Sequence, residues 1–266
     1  MSLAEKIDEA VLLEERDAQG VLRLTMNRPA QRNALSMELM AALIEALDQA
    51  GADKETRVVV IAGSGAGFCP GHDLREMVSE PSAEAYARIF DRCSEMMQKI
   101  VRLPKPVIAE VHGIATAAGC QLVASCDLAV ATEDAKFATS GINVGLFCST
   151  PMVALSRAVH RKAAMEMLLT GDFIDAPTAL AIGLINQVVP AAELRAATDA
   201  LAHKIAAKSA MAIALGKTAF YRQIEMNLTD AYAYTSDVMT RNMLARDAEE
   251  GIDAFIAKRK PVWRDE

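Results

Sequence analysis

Hydrophobic and polar positions in the N-terminal part of the chain predict a hairpin, then a helix, then a strand. Apolar residues recur at strand-like spacing over 11–16 and 20–26, and residues 17–20 between them are typical of a turn. From Ser36 onward the apolar positions follow helical spacing, with Ser36 as the predicted N-cap. A β-branched run at 57–62 predicts the next strand.

The rest of the chain continues this alternation and then becomes helical. Helical spacing predicts a helix over 82–102, which Pro104 and Pro106 end before a strand at 107–111. Small residues over 115–126 predict a helix packed deep inside the protein. Shorter strands are predicted at 128–131, 136–138 and 187–189, and helices at 191–208, 210–227, 229–246 and 248–257. We expect the helical end to form an oligomer surface.

Composition narrows the class of protein. The chain has 266 residues, 52% of them hydrophobic, which is enough to bury a full core. Its net charge of −7 argues against a broad nucleic-acid surface, although a local basic patch for a phosphorylated ligand is compatible with it. The pattern predicts one α/β domain with a helical appendage.

Cysteine usage and the N-terminal residues bear on the compartment. The five cysteines are odd in number and include no CxxC pair, so we expect reduced, buried thiols and no metal site. Residues 1–10 resemble neither a secretory signal nor an Arg-rich transit peptide. No apolar run is long enough to span a bilayer. These features lead us to expect a cytoplasmic protein.

Two segments of short residues follow β-branched runs, at 63–74 and 107–127. Both are typical of strand-to-helix junctions, where free backbone N–H groups can bind negative charge. Two such junctions can form one oxyanion hole. The glycine-rich run at 63–71 matches neither the P-loop nor the GxGxxG pattern, so a nucleotide site of either kind is not indicated.

Several motifs in register carry a family resemblance. They are Asn27-Arg28-Pro29, Arg32-Asn33-Ala34-Leu35, residues 67–74 (GFCPGHDL), Val111-His112-Gly113, Ala118-Gly119-Cys120 and Cys126-Asp127. In this order and spacing the sequence resembles the enoyl-CoA hydratase/isomerase (crotonase) family over nearly the whole chain. Within that family, the runs at 117–127 and 144–151 resemble most those of one divergent group.

The resemblance implies a fold, an assembly and a substrate class. The fold is a crotonase-like spiral of ββα turns over residues 1–200, and the C-terminal helical region, 201–266, completes the site and the oligomer. A homotrimer or a dimer of trimers is implied. The substrate is a coenzyme A thioester, and no metal or redox cofactor, nucleic acid or membrane partner is implied.

By position in the family, the oxyanion-hole donors are the N–H groups of His72 and Ala118. Removal of an α-proton, or addition of water at the β-carbon, builds enolate charge on the thioester oxygen. One well-placed donor lowers such a barrier by about 3 kcal/mol. The resemblance further implies coenzyme A contacts at Arg32, Ala34, Leu35, Gly71, Asp73 and Leu74, with basic residues near the phosphates, for which Lys258 is a candidate by charge. By charge alone, Arg28, Lys217 and Lys260 are further candidates for its phosphates.

The sequence departs from the hydratases at their acid/base positions. The two glutamates fall on Gln121 and Gly141, and an aspartate used by other members falls on Ser149. Glutamine cannot transfer protons at neutral pH but can orient a water. Gln121 and Ser149 therefore join His72 and Ala118 as predicted catalytic residues. The plainer alternatives are a buried, satisfied amide at Gln121 and a helix cap at Ser149.

Three functional hypotheses remain open at this point. The first is an enzyme of the hydratase/isomerase class acting on an unsaturated acyl-CoA, with an isomerase or a thioesterase as variants. The second is a non-catalytic acyl-CoA-binding or structural protein, motivated by the loss of both glutamates. A Rossmann-type oxidoreductase is remote because GxGxxG is missing.

Overall fold

The computed structural model describes residues 10–266. Strands β1 (Leu12–Arg16) and β2 (Val21–Met26) pair antiparallel, which confirms the predicted hairpin. Helix α1 (Met37–Ala52) begins after Ser36, whose Oγ accepts a hydrogen bond from the Leu39 N–H at 3.2 Å. The predicted N-cap is therefore present.

The remaining elements follow the predicted alternation. The strands are β3 (Val58–Gly63), β4 (Val107–Val111), β5 (Ile114–Thr116), β6 (Leu128–Thr132), β7 (Lys136–Ala138), β8 (Ile174–Asp175) and β9 (Gln187–Val189). The helices are α2 (Leu74–Ser79), α3 (Ala83–Arg102), α4 (Ala118–Ser125), α5 (Pro151–Ala158), α6 (Arg161–Thr170), α7 (Ala176–Ala181), α8 (Leu194–Ala206), α9 (Ala210–Gln223), α10 (Leu228–Met243) and α11 (Arg246–Ile256). Short 3₁₀ turns lie at Pro29–Gln31, Ser140–Val144 and Ala191–Glu193.

Two sheets organise the core. The larger has the order β1-β2-β3-β4-β6-β9, with every pair after the hairpin parallel. The smaller has the order β5-β7-β8. Because β4 leads to β5 and β6 leads to β7, the chain passes from one sheet to the other in successive turns. This is the ββα spiral that the resemblance implied.

Side chains of the large sheet alternate between two apolar layers. One face joins the main core under α1, α3 and α4, and includes Leu24 and Ile61. The other face carries Val60 and Ile108 and is covered by α8, which contributes Leu194. The sheet thus separates α8 from the layer in which the two predicted junctions lie.

A buried ionic cluster holds α9 against this core. The Lys217 ammonium, whose side chain is only 7% exposed, lies 2.7 Å from Asp127 and also donates to the carbonyls of Ile100 and Lys105. Tyr221 donates to the second oxygen of Asp127 at 2.9 Å. Lys217 is therefore structural, and its prediction as a phosphate ligand is wrong.

Two predictions of secondary structure need correction. Ala115 and Thr116, expected in a helix, belong to β5, because this segment pairs in parallel with β7. Helix α4 therefore begins only at Ala118. Strand β8 has only two residues and pairs with β7. A strand of this length is too short to be predicted from a sequence pattern.

Three predictions from composition concern the cysteines, membrane-spanning segments and the C-terminal helices. All five cysteines are free and buried, as expected from their number and spacing. Within residues 10–266, no helix has the length and apolar character needed to span a bilayer. Large apolar side chains are exposed on the C-terminal helices, Phe255 being 84% exposed. The oligomer surface predicted there remains a prediction.

Candidate active site

The loop after β3 is held in place by a buried asparagine. Asn33 is fully buried, and its Nδ2 donates to the carbonyls of Ser64 at 2.8 Å and Gly67 at 2.9 Å. The His112 ring lies 3.1 Å from the Gly65 carbonyl on the same loop. The predicted motifs at 27–35 and 63–74 are thus brought together by side chains that bind backbone carbonyls.

The N–H of His72 is directed away from its neighbouring segment. Leu35 and His72 form a parallel bridge in which Leu35 donates to the Gly71 carbonyl at 2.8 Å and Asp73 donates to the Leu35 carbonyl at 3.1 Å. In such a bridge the groups of the flanking residues are used, and those of the central residue point the other way. Within residues 10–266 the His72 N–H has no hydrogen-bond acceptor.

The second junction is paired directly to the first. Cys69 donates to the Ile114 carbonyl and accepts from the Thr116 N–H, both at 3.0 Å. Gly119 packs against Cys69 so closely that a Cβ there would lie 2.7 Å from the Cys69 carbonyl carbon. Residue 119 must therefore be glycine for the two junctions to meet at this distance.

Helix α4 presents its first N–H at this meeting point. Ala117 precedes it with φ 50° and ψ −120°, a conformation that is strained for a residue with a Cβ. The Ala117 N–H donates a hydrogen bond to the Ala138 carbonyl at 3.0 Å. The Ala118 N–H, at the first helical position, has no acceptor in the part of the chain that the structure describes.

The segments that carry the two unpartnered N–H groups meet at Gly71. A Cβ built at Gly71, the residue before His72, would be 3.3 Å from the Ala118 nitrogen and 3.0 Å from the Ala117 Cβ. Gly71 also has φ 102°, where a side chain is strained. Two adjacent donors from two junctions can bind a single oxygen that carries negative charge.

Gln121 lies one turn into α4, on the face that carries Ala118. Gln121 is only 4% exposed, and its Oε1 is buried without a hydrogen-bond partner among residues 10–266. No protein group among these residues satisfies the Gln121 Oε1, which favours the water-positioning interpretation over a satisfied core amide. An unpaired buried acceptor costs about 1–3 kcal/mol, which a bound water or ligand donor would recover.

Position 141 has no room for a side chain. A Cβ on Gly141 would lie 2.5 Å from the Leu146 carbonyl oxygen and 2.8 Å from Cys148 Sγ. The Leu146 N–H donates to the Gly141 carbonyl at 2.9 Å, which closes this loop on itself. A side chain at the position where the resemblance implies the second glutamate would therefore collide with this loop.

Neither Cys148 nor Ser149 has the partner that a nucleophile needs. Burial raises the pKa of the Cys148 thiol, which favours its unreactive form. The Ser149 Oγ is 3.3 Å from the Phe147 carbonyl, to which it donates. Ser149 does not cap the next helix either, because the residue at the N-cap of α5 is Thr150. The structure brings no base to either group among the described contacts.

A pair of hydroxyls near residues 118 and 141 was not predicted. Thr116 Oγ1 and Ser140 Oγ lie 2.7 Å apart. Thr116 comes two residues before Ala118, and Ser140 immediately precedes Gly141. Each hydroxyl lies next to a position that the sequence had singled out, Ala118 or Gly141. The pair was missed because 24 residues separate Thr116 from Ser140 along the chain. Only the pairing of β5 with β7 brings them together.

The side chain of His72 is neutral and apolar in its surroundings. Burial lowers the pKa of its imidazole to about 4. Neither ring nitrogen has a hydrogen-bond partner in the described residues, and the ring packs edge-on against Phe90 at 5.6 Å.

The predicted coenzyme A residues divide into two sets. Arg32, Ala34, Leu35, Gly71, Asp73 and Leu74 come together around the bridge between Leu35 and His72. Ala34 and Leu35 are buried, whereas Arg32 and Leu74 are exposed. Lys258 is exposed just beyond the end of α11 and joins no contact of that set within residues 10–266.

Comparison with known proteins places this fold and site in a family. A model of the enoyl-CoA hydratase/isomerase family matches residues 16–266. The chain belongs to the enoyl-CoA hydratase/isomerase family, and its fold is the crotonase fold. The family match and the fold both confirm the resemblance that the motifs indicated.

Individual relatives narrow the comparison. A Xenopus laevis protein named enoyl-CoA hydratase domain-containing protein 3, mitochondrial, is 50% identical over 92% of this chain and 83% of its own length. The human protein of that name is 47% identical over 94% and 83%. A Mycobacterium smegmatis enoyl-CoA hydratase structure has a TM-score of 0.94 and 56% identity, covering 96% of this chain and 99% of its own. The divergent group indicated by residues 117–127 and 144–151 is the one that these vertebrate relatives represent.

The expected cytoplasmic location is wrong by this comparison. The vertebrate relatives are named mitochondrial proteins. The expectation rested on the composition of residues 1–10, of which residues 1–9 lie outside the described part of the chain. Composition at one end of a chain is a poor guide to compartment.

Proposed function

We propose that this protein is an acyl-CoA-processing enzyme that polarises a thioester carbonyl with the N–H groups of His72 and Ala118. The observation that carries the proposal is the meeting of these two unpartnered donors at paired junctions. Enolate charge on the thioester oxygen would be stabilised by both, at about 3 kcal/mol for one well-placed donor. The names of the relatives support an unsaturated acyl-CoA as substrate.

Coenzyme A is proposed to lie along the segments that flank the donors. Arg32 offers an exposed charge there, and Ala34, Leu35 and Gly71 offer backbone and apolar surface. The Asp73 carboxylate is engaged by Arg28, so this residue is proposed to contact the ligand through its backbone. Leu74 would add apolar contact. Lys258 is proposed to reach the phosphates only after assembly of the oligomer.

Proton transfer is proposed to depend on an oriented water. Gln121 Oε1 is an acceptor without a partner among residues 10–266, so it can hold a water or a substrate hydroxyl. An amide cannot supply or remove a proton at neutral pH. We therefore expect hydration of an enoyl-CoA to be slow compared with carboxylate-bearing members. No step is assigned to Ser149.

A non-catalytic acyl-CoA-binding protein is the second candidate. The observation that favours it is the filled space at Gly141, where Leu146 and Cys148 leave no room for an acid. In that case the two N–H donors would bind the thioester oxygen without turnover.

The test combines titration and turnover. Calorimetry with CoA and butyryl-CoA measures binding, and loss of the enoyl absorbance of crotonyl-CoA measures hydration. Ala118→Pro removes one donor, and a melting curve first establishes that the variant folds, because proline also restricts the strained residue Ala117 before it. Ala83→Pro makes the same exchange at the first position of α3 and is the matched control.

We expect tighter binding of butyryl-CoA than of CoA, and turnover that falls about 100-fold in Ala118→Pro but not in Ala83→Pro. Binding without any turnover would favour the second candidate. Absence of binding by the unaltered protein would overturn the acyl-CoA assignment.

A further inference from the structure

Arg28 is not available as a free phosphate ligand. Its side chain is mostly buried, and its guanidinium forms two hydrogen bonds within the protein. Nη2 lies 2.9 Å from Asp73 Oδ2, and Nη1 donates to the Ala34 carbonyl at 2.5 Å. The prediction that Arg28 binds a phosphate is therefore wrong, and its role lies elsewhere.

These two contacts lie on either side of the His72 bridge. Ala34 precedes Leu35 on one segment, and Asp73 follows His72 on the other. The planar guanidinium thus connects both segments at the point where the His72 N–H projects outward. Because its donors are fixed in one plane, arginine sets the distance and the relative direction of the two groups it binds.

The backbone of Arg28 is itself held in place by Asn33. The Arg28 N–H donates to Asn33 Oδ1 at 3.0 Å, and the Asn33 N–H donates to the Arg28 carbonyl at 2.9 Å. Asn33 is the fully buried residue that also holds the loop at Ser64 and Gly67. Arg28 therefore extends from a rigid part of the site.

Asp73 remains ionised in this position. Its partial burial would raise the carboxyl pKa, but hydrogen bonds from Arg28 and from nearby N–H groups outweigh that effect and leave the pKa below its usual value. Its Oδ1 also accepts from the Arg75 N–H at 3.1 Å and so caps α2. Asparagine at this position would keep the cap and remove the charge.

We propose that Arg28 and Asp73 are positioning residues that set the direction of the His72 N–H toward the thioester oxygen, an inference that rests on the proposed function. A hydrogen bond weakens steeply as its angle falls below about 150°. A small rotation of the peptide between Gly71 and His72 would therefore reduce polarisation of the carbonyl without emptying the site.

The test measures polarisation directly. Isotope-edited infrared spectra of bound [1-¹³C]butyryl-CoA report the carbonyl stretching frequency, which falls when the oxygen accepts strong hydrogen bonds. The variants are Arg28→Gln and Asp73→Asn, with Arg28→Lys as the conservative exchange. Arg195→Gln is the control, because Arg195 pairs with two carboxylates on α8 and β1 and α8 covers the opposite face of the sheet.

We expect Arg28→Gln and Asp73→Asn to lose about half of the frequency shift and to bind about tenfold more weakly. Arg28→Lys should restore part of the shift, and Arg195→Gln should match the unaltered protein. A purely structural role would lower the melting temperature and the affinity but leave the carbonyl frequency of the bound ligand unchanged.

Two outcomes would overturn the inference and can be told apart. A full shift in folded Arg28→Gln and Asp73→Asn would overturn the role of the pair alone. Absence of binding or of any shift in the unaltered protein would overturn the proposed function, and the inference with it.

Discussion

The half of the site that supplies hydrogen-bond donors differs sharply from the half that would transfer protons. The donors of His72 and Ala118 are backbone groups, held by a parallel bridge, by the contacts of Cys69 and by a buried asparagine. The proton-transfer half has an amide at Gln121 and no space at Gly141. The backbone contacts that hold these donors do not involve the side chain of residue 121 or the loop at residue 141, so the proposed charge stabilisation does not require an acid at either position.

The largest effect is expected where the two junctions touch. Gly119→Ala would force a Cβ into the Cys69 carbonyl, so either the junctions separate or the helix shifts. We expect a loss of about 3 kcal/mol in the free energy of unfolding, measured by urea denaturation.

Gly216→Ala is the matched control for that change. Gly216 lies inside α9 with open space around it, so alanine there should stabilise the protein by about 0.5–1 kcal/mol. Equal stability changes in the two variants would show that the junctions do not depend on the close approach at residue 119.

Grafted carboxylates should separate the roles of positions 121 and 141. Gln121→Glu places an acid where the side chain already fits, and we expect crotonyl-CoA hydration to rise at least about tenfold. Gly141→Glu should give no gain and cost about 2 kcal/mol in unfolding free energy, since its Cβ meets Leu146 and Cys148.

The hydration rates and urea denaturation curves of Gln121→Glu and Gly141→Glu test whether each position can accept an acid. Hydration restored by Gly141→Glu alone would contradict the filled space at that position. No gain from Gln121→Glu would indicate that the water is held elsewhere, with Thr116 and Ser140 as the next positions to change.

The buried imidazole of His72 should make stability depend on pH. Its folded pKa of about 4 lies below the ordinary value of 6.5, so the unfolded chain binds this proton first as pH falls. Stability is therefore full above about pH 7 and declines through pH 6.5 toward pH 4, by about 3 kcal/mol for this group. His72→Gln should lose less stability over the same range in urea titrations.

His160→Gln, which exchanges an exposed imidazole, is the control for this titration. Identical pH dependence in His72→Gln and the unaltered protein would mean that the ring is solvated in solution.

The smallest effect is expected from release of backbone strain. Ala117→Gly removes the Cβ at φ 50°, and we expect the unfolding free energy to rise by about 1 kcal/mol. Ala115→Gly, in the neighbouring strand, should lower it by about the same amount. Destabilisation by both exchanges would show that the Ala117 conformation is not strained.

Local signals predicted much of the fold. The hairpin, the Ser36 cap and the helices beyond Pro190 depend on spacing and turn chemistry within a few residues. Strands β5 and β8 were missed because they exist only through pairing with β7. Their sequences carry no strong preference of their own.

The site was predictable where it follows motifs and unpredictable where it depends on distant contacts. The donors were assigned from the family pattern, and the structure places Gly71, the residue before His72, next to the Ala118 nitrogen. Arg28 and Lys217 were assigned by charge, but acceptors from separate segments bury both. The closed loop at Gly141 could not be foreseen from residue types, because its backbone carbonyl at Leu146 fills the space.

The most direct test of the central claim is the carbonyl frequency of bound [1-¹³C]butyryl-CoA in the unaltered protein, in Ala118→Pro and in Ala83→Pro. The account predicts a clear fall in frequency on binding, which Ala118→Pro loses in large part and Ala83→Pro retains. A frequency equal to that of the free thioester in the unaltered protein, or a shift that survives in folded Ala118→Pro, would contradict it.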